Sequence, residues 1–238
     1  MLVTLTSRMI MTIKRLTYFL SCFLLFFFIT SHLAGQTRDF QSWWELELDR
    51  ELTDRLNLEG ELEQRFKNNS LQYSRTLLTL AVTHDVLDFL RVGGGVRTTF
   101  LMDGEQQMHA RYRVHLDLTG RHDLSGFGLS LRSRLQYGFE ELLAISDFRL
   151  NSLVNRNKLR GIYHIFGTRF DCFASLESWH GSGSESQWIT YAMRYSAGLR
   201  FSPTFRSRFS LRYILEDEFN LPEPQQFHIV VLAYAHSF

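Results

Sequence analysis

The stretch MHARYRVHLDL, residues 108–118, alternates apolar and polar side chains without a break. One face carries Met, Ala, Tyr, Val, Leu and Leu, and the other carries His, Arg, Arg, His and Asp. A period of two is the period of a β-strand. Strands of soluble proteins are usually about 5–6 residues long, whereas a tilted strand that crosses a bilayer needs about 9–11. The stretch therefore predicts a strand that spans a membrane.

The same alternation returns along the whole chain from residue 36 onward and predicts a barrel. The predicted strands are 40–50, 55–66, 72–83, 89–101, 106–119, 126–139, 153–165, 169–179, 188–201, 206–217 and 226–238. Single-chain bacterial barrels have an even number of strands, so a list of eleven implies that one strand is split or missed. We therefore expect an all-β fold, an antiparallel up-and-down transmembrane β-barrel of about 10–12 strands.

The connections between these strands alternate in length, as the turns and loops of such barrels do. Short connections are predicted at 51–54, 166–168 and 202–205, and longer polar ones at 140–152, 180–187 and 218–225. The three prolines of the chain all fall in connections, which agrees with strands that need every backbone N–H.

The N-terminus has the three regions of a secretory signal peptide. Arg8, Lys14 and Arg15 supply the positive charge, residues 16–30 are mostly apolar, and residues 31–35 supply small side chains for cleavage. We therefore expect residues 1–35 to be a cleaved signal peptide and residues 36–238 to be the barrel domain. A single anchor helix is the alternative. A lipoprotein is not expected, because Gln36 stands where a lipidated Cys would be needed.

The C-terminal strand carries an apolar alternation that ends on an aromatic residue. Val230, Leu232, Tyr234 and Phe238 share one face, and Phe238 is the last residue. This pattern is typical of the signal that outer-membrane insertion machinery recognises. It predicts a protein of the cell outer membrane of a Gram-negative bacterium, with membrane lipid and the insertion machinery as partners. A C-terminal core strand of a soluble protein is the alternative.

Several short motifs resemble those of one family, catalogued as domain of unknown function 2490. They are Trp43-Trp44, Glu63-Gln64-Arg65, Arg132-Ser133-Arg134, the stretch from Arg156 to Arg160 before Tyr163, Phe173-Ala174-Ser175 before Glu177, Leu211-Arg212-Tyr213 and the terminal Phe238. The resemblance covers nearly the whole chain after residue 35. It implies an outer-membrane barrel, and it implies no reaction and no catalytic residues.

Charges on the predicted inward faces are segregated by sign. The first two strands carry an acidic wall, which we define as Glu45, Glu47, Asp49, Glu59, Glu61 and Glu63. The middle strands carry a basic wall, which we define as Arg111, Arg113, Arg132, Arg134, Lys158 and Arg160.

Two arrangements of these walls are open. In a narrow, dry lumen the walls pair with each other, because charges removed from water need partners; this is the expectation we favour. In a wider lumen the walls stay apart across water and impose a transverse field on small polar solutes. Glycines 93–95 fit either reading, since they lower side-chain volume and permit sharp curvature.

Other functional classes have less support in the sequence. The formal net charge of +1 gives no nucleic-acid footprint. His109 and His115 lie roughly 20 Å apart along one strand, too far to share a metal, and no cofactor is expected. His180 and Ser182, with Glu185 nearby, leave open a surface lipid hydrolase, although HGSGSES lacks the G-x-S-x-G pattern. We expect no enzyme. A soluble periplasmic β-sandwich that binds a ligand is the remaining alternative.

Overall fold

Eleven β-strands make up the part of the chain that the structure, a computed structural model, describes: residues 37–102, 107–139, 153–182 and 188–238. The predicted signal peptide lies outside these residues. The strands are β1 Thr37–Thr53, β2 Leu56–Lys67, β3 Gln72–Leu87, β4 Leu90–Met102, β5 Met108–Leu124, β6 Phe127–Phe139, β7 Leu153–His164, β8 Phe170–Ser182, β9 Trp188–Phe201, β10 Ser207–Glu218 and β11 Gln225–Ser237. Within the described ranges no helix is long and apolar enough to cross a membrane.

The strands close into one barrel in chain order, so the β-sandwich alternative is wrong. Each strand pairs antiparallel with the next one along the chain, and β1 pairs with β11 in parallel. The seam runs from Thr37 opposite Gln225 to Asp49 opposite Ser237, and the amide of Phe238 donates to the carbonyl of Asp49 at 2.9 Å.

The barrel has eleven strands, which lies within the expected range of about 10–12. The list of eleven was right, and the inference that one strand is split or missed was wrong. An odd number of up-and-down strands leaves the first and last strands pointing the same way. The number of strands must be even only if the first and last strands pair antiparallel. Here a parallel ladder closes the barrel instead, because parallel strands also satisfy their backbone donors and acceptors along the seam.

Side chains alternate between the outer surface and the interior, as the period of two predicts. On β5, Leu116 is 67% exposed on the outside, whereas the neighbouring His115 is 5% exposed on the inside. The outer face is covered with exposed leucine, valine and aromatic side chains from nearly every strand. The longest strands, β1 and β5, have 17 residues. They extend past the predicted ends because their pairing continues where the apolar pattern stops.

Connections of different length lie at the two ends of the barrel. The turns 54–55, 88–89 and 125–126 have two residues and lie at the same end as Phe238, with the five-residue connections 165–169 and 202–206. We call this end the turn end. The first turn is therefore 54–55 and not 51–54. At the opposite end, the loop 68–71 contains three consecutive residues with positive φ, Asn68, Asn69 and Ser70.

An apolar cluster fills the interior beside the seam. Trp43 of β1, Ile214 of β10 and the β11 residues Ile229 and Val231 are almost fully buried and pack together, with Phe227 against them. We call these five residues the seam cluster. The inward face of β11 is therefore apolar, unlike the charged inward faces of the other strands.

Candidate functional site

The lumen contains a cavity of about 500 Å³ that is lined mainly by charged side chains. All six residues of the acidic wall and all six of the basic wall line it. The topology places the acidic wall on the adjacent strands β1 and β2, and the basic wall on the adjacent strands β5, β6 and β7. β1 and β7 are separated by four strands on one side and five on the other, so the two walls face each other across the cavity.

Six further arginines line the same cavity and were not assigned to it from the sequence: Arg65, Arg75, Arg97, Arg156, Arg194 and Arg212. Strand parity was the signal that would have found them. Arg97, for example, is two residues after Gly95 and therefore lies on the same face of β4, which packs against the buried ring of His115. With these arginines the lining carries twelve basic and six acidic side chains, so the cavity is predominantly basic.

Like charges lie directly opposite each other on neighbouring strands. In the acidic wall, the β1–β2 register pairs Glu45 with Glu63, Glu47 with Glu61 and Asp49 with Glu59. In the basic wall, the β6–β7 register pairs Arg132 with Lys158, and it places Arg134 opposite Arg156, an arginine outside that wall. Cross-strand pairs of like charge are destabilising. The register therefore maintains two zones of opposite charge at a cost in stability.

The acidic wall forms its ion pairs with arginines outside the basic wall. Arg212 donates to Glu45 at 2.6 Å, Arg208 to Asp49 at 2.8 Å and Arg97 to Glu61 at 3.0 Å. Glu63 accepts from Arg65 on its own strand. Most of this wall is thus neutralised locally by its own or a nearby strand.

The basic wall also finds its partners elsewhere. Arg134 forms a two-pronged pair with Asp117 of the adjacent strand, at 2.6 and 2.5 Å. Arg132 donates to Glu177 at 3.2 Å. Among the ion pairs that the structure describes, none joins the two walls. The favoured arrangement, in which the walls pair with each other, is therefore not the one observed between the described side chains.

Glu177 on β8 is the centre of a cluster of charged side chains in the lumen. Its side chain is 2% exposed and lies 2.9 Å from Arg156, 3.2 Å from Arg132 and 3.8 Å from Arg194. Arg194 also donates to Glu216 at 2.7 Å. A buried carboxylate surrounded by three guanidinium groups is strongly held, and its removal would leave those groups without their shared partner.

Two tryptophans extend this cluster towards the seam. The guanidinium of Arg156 lies 4.2 Å from the ring centre of Trp179, and Arg194 lies 5.0 Å from the same ring. Arg194 is also 5.2 Å from the ring of Trp43, which Arg65 covers at 3.6 Å. These contacts are within the range of cation–π attraction. They fix the arginines against the wall of the lumen.

The glycines of β4 are required by close packing rather than by an open lumen. A Cβ atom on Gly95 would lie 2.7 Å from Ala81 and from the His115 ring. A Cβ atom on Gly93 would lie 2.9 Å from Thr83. Neighbouring side chains therefore fill the space at both positions.

The residues considered for catalysis and metal binding are placed as follows. Both ring nitrogens of His180 are in hydrogen bonds, with Ser178 at 2.9 Å and Thr190 at 2.8 Å. The Ser182 side chain and Glu185 are not among the described groups. In the described ranges no cluster of three His, Cys, Asp or Glu side chains has a geometry suited to a metal ion. Cys172 is buried in the barrel wall.

The C-terminal residues lie at the turn end of β11. Leu232 is 43% exposed on the outer face and Phe238 is 67% exposed. The Tyr234 ring contacts Phe209 of β10 at 4.9 Å between centroids, and the His236 ring meets Phe238 at 4.8 Å. The strand thus presents an aromatic edge at this end of the barrel.

A family described as "Protein of unknown function (DUF2490)" matches residues 40–226, which is most of the chain. The chain belongs to this family. The match begins within β1 and ends in β11, so it covers both charged walls and Glu177 of the DUF2490 barrel.

One solved structure similar to this DUF2490 barrel is described as the NanC porin in a rhombohedral crystal form. It is 12% identical, with a TM-score of 0.53 over 84% of this chain and 99% of that chain. At this identity the likeness concerns the fold alone. No curated protein matches the chain.

Proposed function

We propose that this chain is a Gram-negative outer-membrane protein whose barrel forms a narrow, water-filled pore for small polar solutes. Its outer face carries the apolar side chains that lipid requires of a spanning barrel, and its interior is polar. The similar solved structure is described as a porin, which agrees with this proposal.

The observation that carries the proposal is the charged cavity with like charges opposed across its strands. A barrel whose interior served only for stability would place opposite charges, or apolar groups, at such positions. Water between the walls screens the repulsion and keeps charged side chains solvated. Segregated charge therefore fits a hydrated passage better than a packed plug.

Conductance of the purified chain in planar bilayers tests the proposal. We expect discrete conductance steps, with a modest preference for anions in a salt gradient, because basic groups outnumber acidic groups in the lining by twelve to six. The absence of any channel would rule out the pore.

The location and partners belong to the same proposal. The chain should co-fractionate with outer-membrane lipid, and removal of the terminal Phe238 should lower the amount assembled, as expected for a substrate of the insertion machinery. No catalytic role is proposed for His180 and Ser182, because the hydroxyls of Ser178 and Thr190 occupy the ring of His180. Unchanged lipid composition in cells that overproduce the chain would support this part.

A further inference from the structure

The two walls contain charged groups that no ion pair neutralises. Among the described residues, Glu47 has no ion-pair partner, and Glu59 accepts only from the Thr83 hydroxyl, at 2.9 Å. On the opposite wall, Lys158 has no ion-pair partner, and Arg160 lies over the ring of Phe173 at 4.8 Å. Lys158 is opposite Glu177 in the register, but that carboxylate is held by Arg132 and Arg156.

These groups lie at matching heights in the barrel. β1 and β7 run towards the turn end, and Glu47 and Lys158 each lie six residues before the last residue of their strand. Arg160 lies four residues before the end of β7, at the level of Asp49 on β1. Glu47 and Lys158, which are in none of the described ion pairs, therefore face each other near the middle of the passage.

The width of the barrel sets the size of a solute that touches both. Eleven strands about 4.8 Å apart and tilted by about 40° form a ring roughly 22 Å across, which leaves roughly 10 Å between the charged ends of a facing glutamate and lysine. A hydrogen bond of about 2.8 Å at each end leaves about 4–5 Å between the charged groups of the solute.

We infer that the pore selects zwitterionic solutes, whose ammonium group contacts Glu47 and whose carboxylate contacts Lys158 and Arg160. This inference rests on the proposed pore and names its solute class: ω-amino acids and short peptides with charges about 4–5 Å apart. A singly charged solute forms a charge contact with only one of the two walls, and a neutral solute forms none. The field between the walls orients the zwitterion across the passage.

Uptake into liposomes that contain the purified full chain tests this inference. Four solutes of nearly equal size differ mainly in charge: 4-aminobutanoate (zwitterion), 4-aminobutanamide (cation), succinamate (anion) and succinamide (neutral). Mass spectrometry of the vesicle contents measures each rate. We expect the zwitterion to enter several-fold faster than the other three.

Variants of the two facing residues sharpen the test. Glu47→Gln and Lys158→Gln should each remove the advantage of the zwitterion, and the double variant Glu47→Lys with Lys158→Glu should restore it, because opposite charges again face each other. The controls Glu223→Gln and Arg55→Gln change the same charges in exposed connections and should leave the rates unchanged.

The outcomes separate the inference from the proposed function. Equal rates for all four solutes, or fastest entry of the anion, overturn the zwitterion preference while the pore stands. Entry of none of the four overturns the pore and the inference together. The comparison of solutes on the unmodified chain decides the question even if a variant fails to fold.

Discussion

The interior of the barrel has two regions that follow opposite rules. Beside the seam, Trp43, Ile214, Ile229 and Val231 form a dry, packed core that resembles the interior of a soluble protein. Around the rest of the circumference, charged side chains surround a cavity, and we call this part of the interior the charged arc. Like charges lie opposite each other at some of its cross-strand positions, such as Glu47 with Glu61 and Arg132 with Lys158. The seam cluster stabilises the closure, whereas the charged arc gives up stability to keep two fields of opposite sign. The residues that stabilise the closure and the residues that are proposed to form the passage therefore lie in different parts of the barrel.

The largest effect is expected where the charged arc depends on a single carboxylate. Glu177→Gln leaves Arg132, Arg156 and Arg194 without their shared counter-charge and should lower the free energy of unfolding by about 3–5 kcal/mol. Urea titration of the detergent-folded barrel, followed by tryptophan fluorescence, measures this change. Glu223→Gln in an exposed connection is the control. If Glu177→Gln lowered the free energy of unfolding by less than Ile229→Ala does, the arginine cluster would be solvated rather than dependent on Glu177.

The seam cluster should respond as a packed core does. Ile229 is 1% exposed, so Ile229→Ala should cost about 2–4 kcal/mol through lost burial and the cavity that remains. Leu232→Ala, on the outer face of the same strand, should cost less in the same urea titration, because detergent or lipid fills the vacated space. Equal losses at the two positions would mean that the interior beside the seam is hydrated.

A smaller effect is expected at the close contact between β3, β4 and β5. Gly95→Ala places a methyl group 2.7 Å from Ala81 and from the His115 ring, and this overpacking should cost about 1–3 kcal/mol. Gly120→Ala is the matched control, because a Cβ atom added at Gly120 would meet no neighbouring atom within 4 Å. Thermal unfolding of both variants would compare them. If the two melted together, the strands near Gly95 would be free to move apart.

The strand pattern of the sequence was sufficient to predict the elements, and local pattern was insufficient to predict how they close. The list of eleven strands was right because an apolar outer face and a polar inner face impose a regular alternation on the strands. An even number of strands is expected only if β1 and β11 pair antiparallel. The sequences of β1 and β11 do not indicate whether the two strands pair parallel or antiparallel. The parallel seam follows from the odd total number of strands.

The site was predictable to the same extent. Strand parity assigns the twelve residues of the two walls to inward faces, and the same rule assigns Arg97 and Arg194 to the cavity that they line. The ion-pair partners of these residues could not be predicted from the sequence. The pairing of Arg212 with Glu45, and of Arg208 with Asp49, joins strands at opposite ends of the chain and requires the closed barrel. The gathering of three arginines on Glu177 likewise depends on side-chain reach across β6 to β9.

The smallest effect, and the only gain in stability, is expected within the acidic wall. Glu47 lies directly opposite Glu61, and among the described ion pairs Glu61 has an arginine partner, Arg97 at 3.0 Å, whereas Glu47 is in none. Glu47→Gln removes the repulsion between the carboxylates and should raise the free energy of unfolding by about 0.2–1 kcal/mol. Glu61→Gln removes the same repulsion together with the pair to Arg97, so it should give no gain in the same urea titration. If Glu47→Gln were neutral or destabilising, the carboxylate of Glu47 would itself contribute to folding. The charged arc would then resemble the seam in serving stability, and the distinction between the two regions would fail at this position.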